Sequence, residues 1–198
     1  MIRNQVDSSI FYYIPNFIEP NDCKKLISKL KSIKLISTYK YNNNISREQK
    51  WIHFEGKYFC SEWKVKYPQW ESGKVEDFIL ELKDKIEHHI KNFRDITQPY
   101  INSCLINRYE NGNNYISPHR DCELAFGDKP TIIGLSFGET REIDFIHNIN
   151  NEKDFSFNLE SGSLFIMAGS SQIDFKHSIK KNNSTNERFS LTFREHIL

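Results

Sequence analysis

The sequence predicts an α+β protein that is mainly β, a double-stranded β-helix (jelly roll) with supporting N-terminal helices. Three observations carry that prediction. Helical periodicity is confined to the first half of the chain, and after Pro99 the pattern becomes short β-branched or aromatic runs broken by Gly, Asn and Pro. About eight such runs follow one another, and eight short strands after helices suit two packed sheets with a helical face.

The first helix is expected over residues 20–33, where Cys23, Leu26, Ile27 and Leu30 share a face, lysines occupy the other, and Asn21 or Asp22 is available as the cap. A second is expected over 72–91, where Val75, Phe78, Ile79, Leu82, Ile86 and Ile90 recur at helical period. Strands are expected at 102–109, 115–119, 131–137, 141–147, 155–159, 163–167, 173–177 and 188–194. Turn-forming residues at 110–114, 127–130, 138–140 and 180–186 separate several of them. The chain divides into an N-terminal region, 1–98, and a jelly-roll core, 99–198, within one structural domain overall. The Asn-rich patches 42–44 and 148–151 read as loops.

With 198 residues, 38% apolar and 14% aromatic, the chain is long enough to bury a core and too aromatic for disorder. No apolar run reaches the roughly 18 residues of a membrane span, and the N-terminus lacks the apolar core of a signal peptide, so an intracellular protein is expected, and separately a monomer. Cys23, Cys60, Cys104 and Cys122 are scattered without Cys-x-x-Cys pairing, which argues for reduced thiols. The glycosylation-like triplet beginning at Asn183 carries little weight without a secretory context. A net charge of +1 makes no global case for nucleic acid, but residues 22–66 hold eleven Lys or Arg against four Asp or Glu. Tyr39, Tyr41, Trp51, Tyr58 and Trp63 are interleaved there, a mixture that suits phosphate contacts and base stacking and equally suits an ordinary solvated basic face.

The chemistry concentrates in the second half. His119 ends a short strand and Asp121 lies two residues on, so both side chains can point the same way from an extended backbone. His177 ends another predicted strand, and a jelly roll gathers strand ends at one mouth. Two imidazoles and one carboxylate form the facial triad of non-haem Fe(II) oxygenases, which leaves three metal positions open for a co-substrate and O2. His53, His88, His89, His147 and His196 have no such context. In RFSLTFR, Arg188, Ser190, Thr192 and Arg194 alternate with Phe189, Leu191 and Phe193, so two guanidinium groups share a face opposite an apolar stripe. Planar guanidinium groups suit carboxylates, and a dicarboxylate would satisfy both. Asn107 and Tyr109 alternate on a third strand and can hydrogen-bond the same ligand.

Taken in order, LINRYENG, HRDCE, PTIIGLSFGETREIDFIH, GSLFIMAG, FKHSI and RFSLTFR resemble the AlkB-type Fe(II)- and 2-oxoglutarate-dependent dioxygenases, most closely their animal DNA repair members. The resemblance implies that His119, Asp121 and His177 bind Fe(II) and that Asn107, Tyr109, Arg188, Thr192 and Arg194 hold 2-oxoglutarate, with Arg188 on its distal carboxylate. It also implies oxidative demethylation of 1-methyladenine and 3-methylcytosine in DNA or RNA, with succinate, CO2 and formaldehyde as products, and hence DNA alkylation repair. Residues 1–98 would then include a nucleotide-recognition lid. By the same resemblance a flipped base meets a stacking aromatic, for which Tyr58 is the candidate with Phe59 or Trp51 as alternatives, and a carboxylate, for which Glu123 is the candidate. Cys122 stands where the relatives carry a substrate-facing Asp, and the loop before Ser46 offers only Tyr41 or Ile45 as a duplex wedge. Two alternatives stay open: an oxygenase of the same fold acting on a modified RNA base or a protein side chain, and a silent nucleic-acid-binding module.

Overall fold

Ile2–Val6 (β1) and Ser9–Ile14 (β2) are joined through Asp7 and Ser8 and pair antiparallel from Ile2 opposite Tyr13 to Val6 opposite Ser9. Asp7 has a φ of 48°, a left-handed conformation that Asp tolerates in tight links. Neither strand stood out in the sequence. Residues 9–13 are buried without interruption, so β2 shows a continuous run in place of alternation. The computed structural model describes residues 1–37, 46–64, 67 and 70–198. Tyr39, Lys40, Tyr41, the 42–44 patch, Ile45 and Lys66 lie outside the described residues.

Helix α1, Pro20–Ser32, has Glu19 rather than Asn21 or Asp22 at its N-cap position, with no cap hydrogen bond from the side chain. Pro20 opens it because its missing N–H would be unpaired in the first turn anyway. Two strands follow, Ile36–Ser37 (β3) and Glu48–His53 (β4), and then α2, Asp77–Ile90, which starts five residues later than its periodicity suggests. Its buried stripe is Phe78, Ile79, Leu82, Ile86 and Ile90.

The remaining elements are β5 (Ser103–Tyr109), β6 (Ile116–His119), α3 (Glu123–Phe126), β7 (Ile132–Gly138), β8 (Arg141–His147), β9 (Lys153–Leu159), β10 (Leu164–Gly169), α4 (Ser171–Asp174), β11 (Phe175–Ile179) and β12 (Arg188–Arg194). The expected strand at 173–177 is corrected: α4 occupies its start, and the extended backbone runs from Phe175 to Ile179. At the end of β7, Gly138 has a φ of 90°, and a Cβ there would collide with the Glu187 carbonyl, so the turn into β8 requires glycine.

The strands form two antiparallel sheets, ordered β1-β2-β10-β7-β12-β5-β4-β3 and β6-β11-β8-β9. The N-terminal region therefore supplies four strands of the larger sheet as well as helices. Period-2 alternation gives that sheet two distinct faces. Ile133, Leu135 and Phe137 of β7, Leu164, Ile166 and Ala168 of β10, and Phe189, Leu191 and Phe193 of β12 pack with α1 and α2. Phe11, Ile132, Phe165 and Met167 face the smaller sheet, where they meet Ile143, Phe145 and Phe175. The mouth between the sheets holds the polar side chains. All four cysteines are free, and among the described residues no helix is long and apolar enough to cross a membrane.

Candidate metal and co-substrate site

His119 and His177 are direct partners across the β6–β11 pairing, with ring centroids 4.3 Å apart. Asp121 follows β6 by two residues, and its backbone N–H donates to Gln172 Oε1 on α4 at 3.0 Å. Asp121 Oδ1 lies 3.8 Å from His119 Nε2 and 3.9 Å from His177 Nε2. One potential ligand atom from each of the three lies within 4.8 Å of the others, close enough for a single ion to bridge. His119 Nδ1 sits 3.0 Å from the Ser117 carbonyl, which places the ring proton there and leaves Nε2 as a lone-pair donor.

The electrostatics favour the ligating forms. Burial pushes His177 down to about 3, assisted by His119, and burial likewise lowers His119, so both rings are neutral near pH 7. For Asp121 burial is the largest influence and acts upward. Arg194 first, then His177 and His119, outweigh it and hold the carboxyl below its ordinary value. The Arg194 Nε to Asp121 Oδ2 distance is 2.9 Å, although the two are not aligned as a hydrogen bond.

The alternating polar face of β12 lines the same cavity, of about 240 Å³: Arg188, Ser190, Thr192 and Arg194 border it together with His119, Asp121 and His177. Asn107 and Tyr109 of β5 border it too. Arg188 is 2% exposed and donates from Nη2 to Ser136 Oγ at 2.9 Å, while its Nε and Nη1 have no partner among the described residues. Its guanidinium lies 5.1 Å from the centre of the Tyr109 ring, and that of buried Arg141 lies 5.5 Å from the same ring. A buried guanidinium with two idle donors and no carboxylate beside it awaits an anion.

At the other end, Phe59 and Trp70 line the cavity with ring centroids 4.9 Å apart. Tyr58 does not line it. That side chain is half-buried with the Lys64 ammonium 5.1 Å from its ring, and Trp51 packs behind Phe59 at 5.2 Å. Cys122 borders the cavity, whereas Glu123 is an exposed first residue of α3 and does not. The basic run 22–66 is divided by the fold. Helix α1 carries Lys24, Lys25, Lys29 and Lys31 to the face of the large sheet opposite the cavity, and Lys50 turns to the same side beside Lys29 and Lys34. Arg47 is the described basic residue of that run that borders the cavity. Sequence reasoning also missed Gln49, Trp70, Ser136 and Gln172. Ser136 alone had a legible signal, its alternation with Leu135 and Phe137.

These features agree with what is known of similar chains. Residues 10–194 match the model of the 2OG-Fe(II) oxygenase superfamily, and the chain belongs to that family. Uncharacterized protein R406 of Acanthamoeba polyphaga mimivirus is 28% identical over 96% of this chain and 95% of its own length. The human alpha-ketoglutarate-dependent dioxygenase alkB homolog 3 is 33% identical over 57% of this chain, and the human DNA oxidative demethylase ALKBH2 is 30% identical over 60%. The matches span only 40% and 48% of those two proteins. Among solved structures, OsALKBH1 superposes with a TM-score of 0.68 at 16% identity, covering 93% of this chain and 97% of that one, which shows the fold. Within the superfamily the named relatives it resembles are of the AlkB type, and the chain spans about two fifths of their length. Its cofactors are Fe(II) and 2-oxoglutarate, and the residues present fit both: a neutral His pair with a buried carboxylate, and unpaired buried donors on Arg188.

Proposed function

We propose that this chain is an oxidative demethylase of alkylated nucleobases, 1-methyladenine and 3-methylcytosine, in DNA or RNA, serving DNA alkylation repair. The observation that carries the reading is one cavity with three parts: the His119, Asp121 and His177 cluster, the idle donors of Arg188, and the Phe59 and Trp70 wall, whose flat faces suit a base. The names of the AlkB relatives, an alpha-ketoglutarate-dependent dioxygenase and a DNA oxidative demethylase, support the same assignment.

In this mechanism His119, Asp121 and His177 hold Fe(II). Iron held there would supply, with 2-oxoglutarate and O2, an oxidation of the N-methyl group, with succinate, CO2 and formaldehyde as products. Arg188 takes the distal carboxylate of the co-substrate, with Asn107, Tyr109 and Thr192 around it and Arg194 near its metal-binding end. Buried Phe59 and partly buried Trp70 exclude water and orient the base. No side chain has to act as acid or base, in keeping with the neutral imidazoles. The N-terminal region, 1–98, contributes the lid, and a monomer is sufficient.

The test is formaldehyde and succinate release with Fe(II), 2-oxoglutarate and ascorbate. The same oligonucleotide is offered with either methylated base as single strand, duplex and RNA, beside an Asp121→Ala control. Base-dependent turnover that the control loses supports the proposal; succinate without base repair points to another substrate, a modified RNA base or a protein side chain.

A further inference from the structure

A chain of donors and acceptors beside the iron-facing cluster sets the orientation of Gln49. Arg47 Nε lies 2.8 Å from Asn107 Oδ1, and a guanidinium can only donate, so Asn107 turns its oxygen toward Arg47. Gln49 approaches the same oxygen at 2.8 Å and must present its Nε2 amide there. Its Oε1 is thereby left over. This oxygen has no partner among the described residues, on a side chain that is 4% exposed and borders the cavity.

The other polar groups around the cavity do not complete it. The guanidinium groups of Arg47, Arg120, Arg188 and Arg194 and the hydroxyls of Tyr109, Ser190 and Thr192 could donate, but none of them bonds this oxygen, and the Asp121 carboxylate can only accept. The 2-oxoglutarate dianion has no N–H or O–H to offer. A buried acceptor without a donor is costly, and the ligand that can supply one is the substrate.

Resting on the demethylase reading above, we propose that Gln49 determines substrate specificity: its Oε1 accepts a hydrogen bond from the exocyclic amino group of the methylated base. The chain is then selective for N-methyl bases that bear an amine, such as 3-methylcytosine, over those with a carbonyl at that position, such as 3-methyluracil, which would set oxygen against oxygen. A neutral amide takes the part that Glu123, outside the cavity, does not.

The experiment compares single-stranded oligonucleotides carrying 3-methylcytosine or 3-methyluracil. It measures kcat/KM for formaldehyde release, and affinity by fluorescence anisotropy with the iron-free protein. The wild type should favour 3-methylcytosine by about ten- to a hundredfold in both readouts. Gln49→Leu and Gln49→Met, which keep the bulk and remove the acceptor, should each bring the ratio near one. A wild-type preference that survives in Gln49→Leu comes from base charge or shape and overturns the proposal. So does a wild type that turns over both bases equally, with the demethylase reading intact. Turnover of neither base overturns both.

Discussion

Arg194 Nε lies 2.9 Å from Asp121 Oδ2, and this pair ties the last strand of the large sheet to the loop that follows β6 in the small one. Both groups are nearly inaccessible, with 7% and 8% of their side chains exposed. Removing one partner of a buried pair leaves an uncompensated charge, at a cost of about 3–5 kcal/mol. Arg194→Met should lower the stability of the metal-free protein by about 3 kcal/mol. Saturating Mn(II) should recover much of that loss, because the ion takes over the role of countercharge. Urea unfolding with and without Mn(II) measures both values, and equal losses would show that the arginine does not act through Asp121.

Arg188 presents the opposite case, a buried cation that no carboxylate of the described residues compensates. Its replacement should weaken the ligand more than the fold. Arg188→Met is expected to reduce 2-oxoglutarate affinity about a hundredfold, the equivalent of about 2–3 kcal/mol of charge-assisted hydrogen bonding. Stability should change by less than about 1 kcal/mol. Calorimetric titration and thermal unfolding separate the two effects.

The two faces of β12 are separable by mutation. Phe189 is fully buried on the helix-packed face, so Phe189→Ala should cost about 3–5 kcal/mol through the cavity it leaves. The folded fraction should keep its 2-oxoglutarate KM. Thr192→Val, one strand position beyond Leu191 on the cavity face, should shift that KM with little loss of stability.

Under the demethylase proposal, Phe59 and Tyr58 should differ sharply although they are adjacent. Phe59→Leu removes one wall of the aromatic end and should raise KM for a methylated oligonucleotide about tenfold, in line with base stacking of about 1–3 kcal/mol. Tyr58→Leu should leave KM within about twofold. A larger effect at Tyr58 would move the base to another wall.

Asp144 is 1% exposed, with Lys153 Nζ at 2.5 Å and Lys180 Nζ at 2.7 Å. Burial acts upward on its carboxyl, yet the lysines outweigh it and hold the value below the ordinary one. A lowered folded value means that the unfolded chain binds the proton more readily. The stabilisation is therefore present above about pH 4, the unfolded value, and is lost as pH falls through the folded one. Asp144→Asn should be less stable at pH 7 by about 1–2 kcal/mol and should lose less further stability on acidification below pH 4. Denaturation midpoints from pH 7 to 3 give the slope.

The strands after Pro99 were legible as short β-branched or aromatic runs set off by Gly, Asn and Pro, even where both faces are buried, as in β10. The segment Arg188–Arg194 is the clearest, with bounds and faces as the sequence suggests. β2, also buried on both faces, was hidden by its place ahead of α1, away from those strands, and β4 by the polar character of Glu48 to Lys50, whose Gln49 turns inward to the cavity. The basic run 22–66 read as one surface because a linear charge count carries no direction, whereas α1 places its lysines behind the sheet.

The sequence by itself determined the residue types of the site and their spacing, since a metal cluster needs His, Asp and His and a dicarboxylate needs cationic partners. Only the tertiary structure decided which of the aromatic and polar residues meet them. Strand pairing brings His119 opposite His177, and the β4–β5 pairing sets Gln49 beside Asn107, 58 residues away. Such contacts are fixed by register between distant segments, a cooperative property of both sheets that no local pattern encodes.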